Sequence, residues 1–208
     1  MRYNRYDKVA NLASSIVFKK WKKDITNGRK KSTSIFHFKK YGISFDVDAT
    51  LVCKKGYKGL TVDGGSDYSE EAEYGDIIMA SFVIDPEWLP EYWEEISMWL
   101  KDVFRHELEH LLHSNGDNLI PERFIEDDLA LRVMIKSELL PYSCYFVLPK
   151  EVDANIRGMY FRSRKEKRPF LEVVNYYLDN YNLTLDEKQN IMQVWRNRVK
   201  ELLIKTEI

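Results

Sequence analysis

Cysteine is scarce in this chain: Cys53 and Cys144 are the two among 208 residues. That excludes a disulfide framework and makes a reducing, cytoplasmic compartment the expectation. Each cysteine reads as a small core hydrophobe. Nine glycines and six prolines are too few for a fibrous or linker-rich protein. No apolar run approaches the length that a membrane span needs. The opening stretch MRYNRYDKVANLASS is charged and lacks the apolar core of a secretory signal, so neither membrane nor export is expected. Net charge is nearly absent too, at −1.

What is present is the composition of a compact globular chain, 44% hydrophobic and 31% charged, with thirteen tyrosines. The length suits one ordinary domain over residues 1–208, with a strand-rich half at about 33–85 and a helical half at about 90–208. The small net charge hides an asymmetry. Residues 1–40 hold twelve Lys/Arg against two Asp/Glu, and residues 41–130 hold six against twenty-one. The basic clusters FKKWKK, GRKK and RSRKEKR are either a solvated face balancing that acidic middle or a contact for an anionic partner such as nucleic acid.

Periodicity predicts an α+β order. Val9, Leu12, Ala13, Ile16 and Val17 form the apolar stripe of a first helix. From Ile43 to Cys53 apolar and polar residues alternate as in a half-buried strand. STSIFHFKK before it and GLTV after it read as its partners in an antiparallel meander. DGGSDYSEEAEYGD reads as an acidic loop, and IIMASFVI (77–84) as a strand covered on both faces. The period then becomes helical: Ile96, Trp99, Val103, His106, His110 and His113 recur every three or four residues, and Ser114, Asn115 and Gly116 supply a stop. Further helices are expected from near Pro121, from Pro149, through RPFLEVVNYYLDNY, and after the capping box Thr184 to Glu187.

The chemistry sits in HELEH, residues 106–110. Residues four apart on a helix lie about 40° apart around its axis, so His106 and His110 can turn imidazole nitrogens to one point. Zinc accepts that geometry. Glu107 stands to one side, where it can take a proton from metal-bound water. Two histidines on one inward stripe beside a carboxylate are costly to satisfy without a metal. Single buried histidines, by contrast, are usually structural, and His37 is read so. His113 reads as a helix-end or metal-supporting residue.

The motif resembles the active-site helix of the zincin metallopeptidases, in which a strand-rich half precedes that helix and a helical half follows. The resemblance covers about residues 43–165. It implies His106 and His110 as zinc ligands and Glu107 as catalytic base, acting on a protein or peptide substrate. It also implies that one strand, most plausibly 77–84, lies along the cleft and pairs with an extended peptide. The metzincin continuation would need glycine at position 113 and histidine at position 116, and the chain has the reverse. In gluzincins a glutamate from a later helix completes the site. Glu151, in PKEVDANIRG, is favoured, because E-x-D-A-N is similar to the third-ligand helix of phage and bacterial gluzincin-like proteins, including the ImmA/IrrE peptidases. Glu126, Asp127 and Asp128 compete for that role, although IEDD more often makes an exposed turn. Asp153 or Asn155 is a candidate to orient a ligand histidine, and Tyr160 to stabilise an oxyanion. The competing function is a non-catalytic binding or structural module, for example in a phage particle. A closed structural zinc would require a fourth donor such as His113, Cys144 or a carboxylate at 126–128.

Overall fold

The computed structural model describes residues 2–67, 76–114 and 122–202. It is α+β, and its contacts divide the chain into two compact units, residues 1–111 and 112–208, with the division in the last turn of one helix. No helix among the described residues is long and apolar enough to cross a membrane.

The first unit contains helix α1 (Arg2–Thr26), strands β1 (Lys31–Lys40), β2 (Ile43–Cys53), β3 (Leu60–Asp67) and β4 (Ile77–Ile84), and most of helix α2 (Leu89–Ser114). Along α1 the buried line is Val9, Ala13, Val17 and Trp21, at steps of four, while Leu12 and Ile16 are exposed. The expected stripe was thus wider than the one used. Four-residue steps drift only about 40° per turn, enough to keep one narrow seam on the sheet. Trp21 anchors that seam, with its indole Nε1 donating to the Ala49 carbonyl at 3.4 Å and its ring edge-on to Phe82.

The sheet order is β1-β2-β4-β3. β1 and β2 form the expected antiparallel hairpin, turning through Tyr41 and Gly42, both at positive φ, as a tight two-residue hairpin turn requires. The rest of the meander is not formed. β4 enters between β2 and β3, parallel to β2 and antiparallel to β3, so the sheet is mixed. β4 is also not covered on both faces. Ile78, Ala80, Phe82 and Ile84 are buried, whereas Met79 and Ser81 are exposed. The glycines of DGGSD, expected in a loop, belong to β3; residues 68–75 of that acidic stretch lie outside the described residues.

The second unit contains α3 (Glu122–Lys136), a 3-10 turn (Tyr142–Val147), α4 (Pro149–Glu166), α5 (Phe170–Asp179) and α6 (Leu185–Glu201). Proline opens α4 at its first position, where its missing N–H costs no helical bond. The Thr184–Glu187 capping box opens α6 as read from the sequence. Phe146, Ile156, Val173, Leu178, Ile191 and Trp195 lie in one core. Trp195 Nε1 donates to the Phe146 carbonyl at 2.7 Å, tying α6 to the 3-10 turn. α4 is buried at nearly every position from Glu151 to Ser163, charged residues included.

Candidate metal centre

Helix α2 carries HELEH in its last turns. The helix is fixed from within its own unit by Arg105, which is fully buried. Arg105 Nε donates to Asp7 Oδ1 of α1 at 3.0 Å, and its Nη1 to Glu109 Oε2 at 2.8 Å. Burial opposes its charge, but the Glu109 and Asp7 carboxylates outweigh that and hold the guanidinium cationic. The second glutamate of HELEH therefore has an assigned task, to neutralise this arginine.

His106 and His110 are half-buried, and their Nε2 atoms stand 3.0 Å apart with the rings edge to face. Two imidazole nitrogens bound to one tetrahedral zinc at its usual bond length are about 3.3 Å apart. The pair is thus already near ligand spacing. Glu151, the third ligand expected from the sequence, belongs to the second unit, and His106 and His110 to the first. Two histidine nitrogens and one carboxylate oxygen would make a donor set that suits zinc and leaves a coordination position open.

Glu107 is buried, and its Oε1 is 3.9 Å from His106 Nε2. Gly64 of β3 lies directly against it. A Cβ at that position would stand 3.1 Å from Glu107 Oε1 and 2.7 Å from Val103 Cγ1. The glycine is required by this close approach of strand to helix. The strand beside the candidate base is therefore β3, an edge strand that among the described residues pairs only with β4. Strand 77–84, expected to take an extended peptide, has both edges occupied by β2 and β3 and cannot pair with one.

Glu151 is 1% exposed, in the first turn of α4. Its Oε1 accepts from Arg132 Nη2 at 2.8 Å, while Arg132 Nε donates to Asp128 Oδ2 at 2.5 Å. Asp128 Oδ1 also accepts from the Lys150 N–H at 3.2 Å. Asp128 is thus a buried helical residue and not part of an exposed turn, whereas Asp127 is exposed. The Tyr145 hydroxyl is hydrogen-bonded to Glu151 as well. Burial and then the Glu151 charge push its ionisation far above the ordinary tyrosine range, so it remains a donor. The Arg132 guanidinium lies over the Tyr145 ring, 5.6 Å from its centroid. Arg132 and Tyr145 had no mark in the sequence beyond the four-residue spacing of Arg132 from Asp128.

Other candidates fall elsewhere. Both Asp153 oxygens accept from Arg198, at 2.7 and 2.8 Å. Asn155 is buried in α4. Tyr160 packs on the helical core beside Phe170, with Arg164 over its ring. Cys53 and Cys144 are both free. The side chains of His113 and Glu126 lie outside the described residues. Compared with protein-family models, curated proteins and solved structures, the chain matches none.

Proposed function

We propose that the chain is a zinc-dependent peptidase of zincin-like architecture, with His106, His110 and Glu151 as metal ligands and Glu107 as general base. The observation that carries this reading is the His106–His110 pair, its Nε2 atoms 3.0 Å apart on a helix that also carries the buried Glu107 next to the first histidine. A zinc ion held there would supply a Lewis acid that polarises a carbonyl and acidifies water. Glu107 accepts the proton of the attacking water on its carboxylate and returns it to the amide nitrogen as the C–N bond breaks. Its burial restricts its rotamers, and Gly64 lets β3 pack closely against it. The outer edge of β3, unpaired among the described residues, offers backbone N–H and C=O groups to an extended substrate, a mode of peptide recognition that needs no particular side chain.

The test is zinc per chain by elemental mass spectrometry, on protein purified without chelator, followed by cleavage of an unstructured protein. About one zinc is expected, lost in Glu151→Ala and kept in Glu107→Gln, with cleavage abolished in both. No zinc under any loading condition, or cleavage by Glu107→Gln, overturns the reading.

A second reading rests on a separate observation. Lys19, Lys20, Lys22, Lys23, Arg29, Lys30 and Lys31 are all exposed, and the one acid among residues 19–31, Asp24, is buried. Such a surface suits a non-catalytic module that grips a nucleic-acid backbone, and its retention on nucleic acid would fall steeply with salt. That behaviour is indifferent to Glu107→Gln.

A further inference from the structure

The outer face of the sheet carries a constellation outside the candidate metal centre. On β1, His37 Nδ1 lies 2.8 Å from Asp46 Oδ1 of β2, and on its other side His37 Nε2 lies 2.9 Å from Ser44 Oγ. With the ring proton on Nδ1, the imidazole donates to the carboxylate and accepts from the hydroxyl. The hairpin register produces this order. His37 is opposite Asp46, Lys39 is opposite Ser44, and Ser44 and Asp46, two residues apart, share a face. We propose that Ser44, His37 and Asp46 form an acyl-transfer site in which Ser44 is the nucleophile toward small activated esters.

The chemistry requires a hydroxyl, a base within hydrogen-bond reach, and a group that fixes the base in the right tautomer. All three are present here, joined by two hydrogen bonds of ordinary length. The site is also accessible: the His37 side chain is 57% exposed. Lys39, the cross-strand neighbour of Ser44, places a cation on the same face as the oxyanion that would form. In the reaction His37 Nε2 takes the Ser44 proton as Oγ bonds to the ester carbonyl carbon. The ester C–O bond then breaks, and the proton passes to the leaving alkoxide. Water, deprotonated by His37, attacks the acyl-serine, releasing the carboxylic acid and restoring the hydroxyl. Asp46 is a positioning residue that acts through the imidazole. The open setting favours small substrates with good leaving groups, because no buried cleft is needed to hold them.

The test uses the full chain and a fluorophosphonate probe, which phosphonylates an activated serine with loss of fluoride, with peptide mapping of the adduct. Hydrolysis of p-nitrophenyl acetate is measured alongside. The wild type is expected to carry the adduct on Ser44 and to release nitrophenol catalytically. Ser44→Ala and His37→Gln lose both, and Asp46→Asn slows labelling at least about tenfold. Treatment with a metal chelator leaves labelling unchanged, which separates this site from the zinc reading. Absence of a Ser44 adduct overturns the proposal, as does labelling of His37→Gln at the wild-type rate.

Discussion

Arg132 Nη2 stands 2.8 Å from Glu151 Oε1, and the same guanidinium is held through its Nε by Asp128. The carboxylate proposed as third ligand is therefore oriented before any metal arrives. Groups that orient a metal ligand without touching the metal typically contribute 10–100-fold to affinity. Arg132→Ala is expected to weaken zinc binding by about that factor, read by competition with a chromophoric chelator. Lysine at this position would recover little, because one ammonium cannot reproduce the planar fork that meets two carboxylates.

Gly64→Ala tests the contact between β3 and the candidate base. The added methyl must displace Val103 Cγ1, 2.7 Å away, and crowds Glu107 Oε1. Overpacking of this kind costs about 1–3 kcal/mol. The variant should unfold at lower urea and, with Glu107 as the proposed base, lose cleavage while still binding zinc, since the overlap falls on neither histidine. Unchanged activity would mean that Glu107 is not the base or that the helix yields freely.

Asp24 gives a pH-dependent prediction. Its carboxylate accepts from Lys20 Nζ at 2.6 Å and from Ser32 Oγ at 2.7 Å. These bonds, Lys20 first, hold its ionisation below the ordinary aspartate range. A lowered folded-state pKa stabilises at pH values above the unfolded one, about 3.9, and the effect fades as pH falls through the folded value. Asp24→Asn should thus melt below the wild type from pH 7 to 5, and the two melting curves should converge below about pH 4.

Trp195→Phe removes the indole N–H that meets the Phe146 carbonyl inside the helical unit. The orphaned acceptor is buried, so the loss is about 1–3 kcal/mol. Urea unfolding should show a lower midpoint with an unchanged slope, as expected when a contact is lost and the exposed area is not altered.

Local signals were the legible ones. Pro149, the Thr184–Glu187 box and the four-residue spacing of His106 and His110 mark helices by rules that act within a turn or two, and those helices are present. Alternation along Ile43–Cys53 gave the right strand and the right buried face. It could not say which strand lies alongside, because alternation encodes faces and not neighbours. The zincin resemblance placed β4 beside a substrate, and β4 is found between β2 and β3. Asp128 and Arg132 illustrate the same limit in the candidate site. As sequence they are ordinary charges four residues apart on a helix, and only the hydrogen bonds that run from Asp128 through Arg132 to Glu151 make them supports of the candidate ligand.

The sheet order also dictates a sequence of events in folding. The β1–β2 hairpin closes over two residues and can form as soon as Cys53 is available, on the timescale of an isolated hairpin. β3 cannot join it, since the edge of β2 that remains belongs to β4. β3 must wait unpaired until residues 77–84 arrive, and the three strands then lock through contacts of longer range, which are slower to form. During that wait β3 and the open edge of β2 are both exposed, and a chaperone or a second nascent chain would meet them there first.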